Sequence, residues 1–380
     1  MTYVASPPDA STPRIAEYVS ERRNVRVLLV APSLRYLGGQ AIQANRLQQK
    51  LSAEEWIDVG MLAVDPQLPK PFGALQKIKY VRTVVTSTAY VLTLLNCVRR
   101  YDVIHAFSAS YWSFLLAPVP ALLIGRLFGK TVVINYRSGE ADDHLRRWGW
   151  HAIPLLRLAH QIVVPSGYLV EVFRRYGLHA VAIPNFLELD AIPHRTREYL
   201  RPALLSNRNF EPHYNVGDIL RAFKIVQREY PDATLLVVGD GPQRDDLHSL
   251  TETLELTNVT FTGAVAPSKM GGFYDACDIY VNAPTIDNMP GSVIEAFAAG
   301  LPVVTSDAGG IPFVVRGGEN GILVPCRDPA AMAVAVTMLL ADSAQALRIS
   351  AQARADALAL YTWDVVRDRW RALYTAFAPA

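Results

Sequence analysis

The sequence predicts an α/β protein of two doubly wound parallel sheets with a cleft between them. Three observations carry that prediction. Valine-rich apolar runs recur with helix-length spacers, the series starts a second time after a polar segment, and 380 residues suffice for two ordinary cores. The first series is VRVLLVAP (25–32), IDVGML (57–62), DVIHAF (102–107), TVVINY (131–136), QIVVPS (161–166) and VAIPN (181–185). Continuous apolar strands of this kind are covered on both faces, which a parallel sheet between helical layers provides. The second series is ALLSN (203–207), TLLVVGDG (234–241), VTFTGAV (259–265), DIYVNAP (278–284), LPVVTSD (301–307) and GILVP (321–325). Between them, Asp190 to Pro202 is polar and rich in Pro and Arg, as a linker should be. The expected organisation is a tail over 1–24, a first domain over 25–190 and a second over 191–360. A closing helix over 361–377 carries Trp363, Val366, Trp370, Leu373, Tyr374 and Phe377 at helical spacing and is expected to cross back to the first domain.

Composition excludes disorder: 51% of residues are hydrophobic and 19% charged. The net charge of +2 conceals an asymmetry, +7 over residues 1–190 and −5 over the remainder. A basic first half suits a phosphate or an anionic lipid surface. Cys97, Cys277 and Cys326 show no paired spacing, which fits a reducing, cytoplasmic compartment without zinc. MTYVASPPDASTPR lacks the basic flank and apolar run of a secretory leader. Thr83–Val98 and Ser113–Gly125 are apolar but interrupted by polar residues or by Pro118 and Pro120. Both are expected as buried helices rather than spans of about 20 residues. Lys70, Lys77, Lys79 and Arg82 beside the first stretch offer a peripheral contact with anionic lipid at the inner membrane face.

The chemistry concentrates in TIDNMPGSVIEAFAAGLPVVTSDAGGIP (285–312). A loop with Asp287, Asn288, Pro290 and Gly291 leads into a helix over 292–299, which Gly300 and Pro302 terminate. Free amides of a helix's first turn hold phosphate oxygens, while Asp287 and Glu295 accept hydrogen bonds from hydroxyls. A nucleotide-sugar needs that division of labour. Duller roles compete: Ser292 and Glu295 fit an S-x-x-E capping box, Asp287 a turn aspartate, and Arg208 a surface pair with Glu211. VVGDGPQRDDL (237–247) has Arg244 where a dinucleotide loop has its third glycine, and no G-x-x-x-x-G-K-[ST] loop occurs.

From Val25 to Phe377 the chain resembles the retaining glycosyltransferases of family 4, which have the GT-B fold and use nucleotide-diphospho-sugars. The resemblance rests on the frame GSVIEAFAAGLPVVTSDAGGIP and on an acidic pair separated by seven residues, in which Asp287 stands where the family has Glu. It implies that Asp287 binds the sugar hydroxyls with a shortened reach and Glu295 the ribose. The donor's diphosphate and sugar would lie along Asn288, Met289 and the backbone of Pro290, Gly291, Ser292 and Val293. Arg208 would neutralise the leaving diphosphate alone, since His213 replaces the family's lysine; a guanidinium suits bidentate phosphate contact. Gly38 and Gly39 match the glycine loop after the first strand, Gly239 the GDGP turn, and Gly263 with Val265 the backbone beside the nucleobase. Arg137 stands where many members have a histidine, with His144 seven residues on and His105 near a strand end. A guanidinium holds an anion but does not exchange protons at ordinary pH. The resemblance implies transfer to a glycan, lipid-linked or small-molecule acceptor, with no metal, no nucleic acid and no covalent nucleophile. A GT-B sugar-nucleotide epimerase and a catalytically weak nucleotide-sugar-binding protein remain alternatives, and a nicotinamide oxidoreductase is a more distant one.

Overall fold

The computed structural model describes residues 24–35, 39–69, 72–78 and 80–377; the expected tail up to residue 23, Lys70 and Lys79 lie outside the described residues. All twelve expected strands form. The first sheet contains β1 (Val25–Ala31), β2 (Ile57–Ala63), β3 (Val103–Ser108), β4 (Thr131–Tyr136), β5 (Gln161–Val164) and β6 (Ala180–Ala182), in the order β2-β1-β3-β4-β5-β6. The second contains β7 (Ala203–Ser206), β8 (Thr234–Val238), β9 (Val259–Gly263), β10 (Ile279–Asn282), β11 (Val303–Ser306) and β12 (Ile322–Val324), in the order β12-β11-β10-β7-β8-β9. Every pairing is parallel. Each order reverses beside the strand that opens its series, and ligands bind such sheets at that switch point beyond the carboxyl ends of the strands.

Alternate residues of a strand leave on opposite faces. Leu28 and Val30 pack with Tyr90, Leu94 and Leu122, whereas Val27 and Leu29 pack with Ala44 and Leu47 of the helix Gly39–Leu51. That second face also receives Val366, Trp370 and Tyr374 from the last helix, Trp363–Thr375. Trp363 donates to Glu54 at 3.1 Å, and the hydroxyl of Tyr374 lies 2.6 Å from Nδ1 of His105. His105 is therefore a core residue of β3, not a group at the cleft. Burial lowers its pKa to about 3.

The Asp190–Pro202 segment is no loose linker. Arg195, Arg197 and Arg201 converge on Asp278, whose side chain is 1% exposed. Arg197 is equally buried and also donates to the carbonyls of Tyr274, Cys277, Ala299 and Gly300. In sequence these arginines read as solvent-facing charge until Asp278, more than 70 positions away, comes into contact.

The apolar stretch Thr83–Val98 departs from expectation. It forms the helix Val81–Cys97, in which Tyr90 and Leu94 are buried while Val84, Leu92 and Leu95 are exposed. With its extension to Arg100 it is long and apolar enough, by length and composition, to cross a membrane, yet only 17% of its most apolar window is buried. Its polar threonines hid a face that the fold leaves uncovered. Ser113–Gly125 divides into the helices Tyr111–Leu116 and Pro118–Leu127, which bury Phe114, Ala121 and Leu122 but expose Trp112, Leu123 and Leu127. The two regions touch, since Tyr90 donates to the Ala117 carbonyl at 2.8 Å.

Candidate active site

A cavity of about 570 Å³ lies between the two sheets, and most of the predicted residues meet there. Its floor is the helix Gly291–Ala299, headed by Pro290 and closed by Gly300 in the left-handed conformation. The amides of Gly291 and Ser292 begin that helix and have no intrahelical acceptor by position. Val293 departs from expectation: its amide donates to Pro290 at 3.2 Å and its side chain is fully buried, so it offers the cavity nothing. The capping box does not form, because neither Ser292 nor Glu295 caps the helix. Ser292 instead accepts from Arg208 at 3.2 Å.

Arg208 follows β7 and points across the head of this helix. Its Nη2 donates to Asp287 Oδ2 at 2.7 Å, and its guanidinium lies 3.9 Å from the ring centre of Tyr214. The side chain is 9% exposed, so the anticipated surface pair with Glu211 gives way to a buried one with Asp287. Burial alone would lower the Arg208 pKa, but the charge of Asp287 overrides it and raises the pKa. The cation is thus permanent and its plane is fixed. Gly239 permits this placement, because a Cβ there would lie 2.2 Å from the Arg208 carbonyl oxygen. The GDGP turn is the rest on which the Arg208 backbone lies. Asp287 is also partly a turn aspartate, its Oδ1 accepting from the Asn288 amide at 2.7 Å. The glycine pair of DAGG supports the acidic loop in the same way. A Cβ on Gly310 would lie 2.0 Å from the Asn288 carbonyl, and the Gly310 amide donates to the Asp287 carbonyl at 2.9 Å.

Glu295 lies one turn deeper. Its Oε2 accepts from the Tyr274 hydroxyl at 3.0 Å, and its Oε1 is 3.4 Å from Nη1 of Arg46 on the opposite wall. Asn207 holds the Tyr274 hydroxyl at 2.7 Å. Arg46, Tyr214, Tyr274, Asn185 and Asn207 are site residues that sequence reading passed over. Arg46 and Tyr274 lie mid-helix within apolar patterns, where nothing local distinguishes them from packing residues.

Gly39 opens the helix Gly39–Leu51 and lines the cavity, with open space where a Cβ would stand; Gly38 lies outside the described residues. Arg137, at the end of β4, also lines the cavity, donating to Oδ1 of Asn185 and Asn135. Burial lowers its pKa to about 10, which leaves it cationic at neutral pH. His144 does not replace the absent histidine. It is buried on the helix Ala141–Leu156, its Nδ1 lies 2.7 Å from the Tyr136 hydroxyl, and burial lowers its pKa to about 4. Val265 and Ala264 line the cavity, whereas Gly263, at φ 71°, serves as the bend before them and accepts from the Gly239 amide at 3.0 Å. Asn288 is buried and bonded to Ser166 of the first half, and the Met289 carbonyl accepts from Asn185 at 3.1 Å, so this loop also ties the halves together.

Two parallel α/β units facing one cleft define the GT-B class, and solved structures agree. Sucrose-phosphate synthase from Thermosynechococcus elongatus superposes with a TM-score of 0.73 at 21% identity, covering 93% of this chain and 99% of its own. Anabaena HepE in complex with UDP and glucose gives 0.71 at 19%, covering 93% and 100%. In sequence, the family model described as glycosyl transferases group 1 matches residues 201–342. Phosphatidyl-myo-inositol mannosyltransferase of Mycobacterium leprae is 31% identical over 295 residues, 73% of this chain and 74% of that one. Alpha-monoglucosyldiacylglycerol synthase of Acholeplasma laidlawii is 26% identical over 172 residues, 44% of this chain and 42% of that one. The chain belongs to the glycosyl transferases group 1 family and is a glycosyltransferase.

Proposed function

We propose that the cleft binds a nucleotide-diphospho-sugar and transfers its mannosyl or glucosyl group to an acceptor with retention and without a metal. One observation carries the donor reading: Arg208, braced by Asp287 and Ser292, faces the free amides that open the helix Gly291–Ala299, and Glu295 lies one turn further in. Guanidinium and amides together would hold the diphosphate, Asp287 the sugar hydroxyls and Glu295 the ribose. The Arg208 fork has five donors, of which Asp287 and Ser292 take one each, leaving others for phosphate oxygens. The charge that builds on the leaving diphosphate falls to this cluster, and the departing phosphate takes the acceptor's proton. The nucleoside-diphosphate in a HepE complex and the mannosyl and glucosyl activities in relatives' names support the reading.

Glu295→Ala is expected to weaken UDP or GDP binding about 10- to 100-fold by removing charge-assisted hydrogen bonds. Calorimetric titration checks this, and unchanged affinity removes the ribose role. Incubation with a panel of nucleotide-sugars and acceptors then distinguishes transfer from epimerisation of the donor or binding alone.

For the acceptor we infer a lipid-linked molecule reached from an anionic bilayer. A second cavity of about 460 Å³ meets the first at Gln40; its lining combines the charged Arg35, Arg82 and Asp65 with the apolar Val64, Phe107 and Leu116. It adjoins the uncovered helix Val81–Cys97, where Val84 and Leu92 are exposed and Arg82, Arg99 and Arg100 supply positive charge. The protein would then work at the cytoplasmic membrane face. Vesicles rich in phosphatidylglycerol are expected to sediment the protein at low salt, with binding reduced by Leu92→Glu and by high salt. Failure to sediment at low salt removes the membrane contact.

A further inference from the structure

Arg46 lies on the wall of the cavity opposite Glu295. It projects from the helix Gly39–Leu51 of the first half, its side chain is 11% exposed, and it stands between two carboxylates. Nη1 is 3.4 Å from Glu295 Oε1 in the second half, and Nε is 3.2 Å from Glu188 Oε2 in the segment after β6. Glu295 is the carboxylate to which the donor reading gives the ribose, and this cation from the opposite wall holds one of its two oxygens. The other oxygen is held by Tyr274.

We propose that Arg46 is a donor-displaced latch: it ties the two halves through Glu295 when the cleft is empty, and it yields Glu295 to the ribose by falling back on Glu188. The inference rests on the donor reading above and adds a regulatory step to it. The geometry supplies the physical requirement for release. A buried guanidinium that lost its sole anion would be left uncompensated at high cost, and that would prevent the exchange. Arg46 has Glu188 already in contact, so freeing Glu295 leaves no unpaired charge. Only the 3.4 Å contact to Glu295 has hydrogen-bond geometry, and ribose hydroxyls can replace that bond, so Glu295 is the member given up while the 3.2 Å ion pair with Glu188 remains. Opening and donor entry are then coupled, because the same ion pair opposes both.

The latch predicts effects of opposite sign from two neighbouring residues. Arg46→Ala removes the competitor for Glu295, so UDP or GDP affinity is expected to rise about threefold to tenfold by calorimetry. Glu188→Gln removes the fallback, so Arg46 holds Glu295 harder and affinity is expected to fall by a similar factor. In the Arg46→Ala background Glu188→Gln is expected to have no effect. Arg46→Lys keeps the charge but lacks the fork that reaches both carboxylates, so its affinity is expected to lie between wild type and Arg46→Ala, and thermal melts of each variant control for misfolding. Small-angle scattering of the nucleotide-free Arg46→Ala protein is expected to show a larger radius of gyration. A loss of affinity in Arg46→Ala overturns the latch and makes Arg46 a nucleotide contact; unchanged affinity overturns it too. The donor reading fails separately, if the wild-type protein binds neither UDP nor GDP or if Glu295→Ala binds as wild type does.

Discussion

Arg208→Ala is expected to lower kcat/KM for glycosyl transfer by about 10³, roughly 4 kcal/mol of transition-state stabilisation. The size follows from where the cation lies. Its side chain is 9% exposed, Tyr214 covers one face, and Asp287 and Ser292 fix its plane, so under the proposed donor reading its charge would meet the developing diphosphate charge with little screening or reorganisation. His213 occupies the spacing where a second cation would share this role, and it lines the cavity within the 3-10 turn Pro212–Tyr214. Arg208→Lys keeps the charge but loses the fork and is expected to recover only part of the rate. The alanine variant also leaves the Asp287 carboxylate without its partner, so a loss of thermal stability should accompany the loss of rate. Adding Asp287→Asn should restore stability without restoring activity. Steady-state kinetics with thermal melts on the three variants separates the roles. An Arg208→Ala enzyme within tenfold of wild type would refute the assignment.

The second large effect is structural. Asp278→Asn is expected to destabilise the fold by about 3–5 kcal/mol, because it leaves the guanidinium of Arg197, 1% exposed, without its counter-charge. Burial alone would raise the Asp278 pKa, but hydrogen bonds from Arg201, Arg197 and Arg195 prevail and hold it well below the usual carboxylate range. The ionised form is therefore stabilised by folding. That contribution is complete above the free-chain value of about 3.9 and is lost as pH falls below it. His105 and His144 act in a higher window. Their folded pKa values, about 3 and about 4, lie below the free-chain value of about 6.5. Between those limits the unfolded chain binds protons that the native state refuses, so stability declines as pH falls from about 6.5. Urea unfolding from about pH 7.5 to about pH 4.5 should therefore give falling, parallel curves for wild type and Asp278→Asn, with the gap closing only below about pH 4. A gap under about 1 kcal/mol at neutral pH would contradict the buried-charge account.

Much of this molecule was open to reading as sequence, because its signals are local. A parallel strand covered on both faces must be a continuous apolar run, and twelve such runs became twelve strands in two sheets. The motif from Thr285 to Pro312 declared its helix and its terminating glycine. Its DAGG glycines had no visible reason until Gly310 came to rest on the Asn288 carbonyl. The same closeness explains the GDGP turn, whose Gly239 lies on the Arg208 backbone.

What the sequence alone determined was the class of each element and the place of the acids and amides at one helix head, since spacing within a helix or turn settles those; the guanidinium was assigned by the family resemblance. The tertiary structure alone decided which charges are paired. Arg208 meets Asp287 79 positions away, Arg197 meets Asp278 81 away, and Arg46 meets Glu295 249 away. It also decided that the helix Val81–Cys97 keeps an apolar face uncovered, although composition had assigned it to the interior. Burial and ion pairing depend on what the rest of the chain brings alongside, and no local pattern of residues records that neighbour.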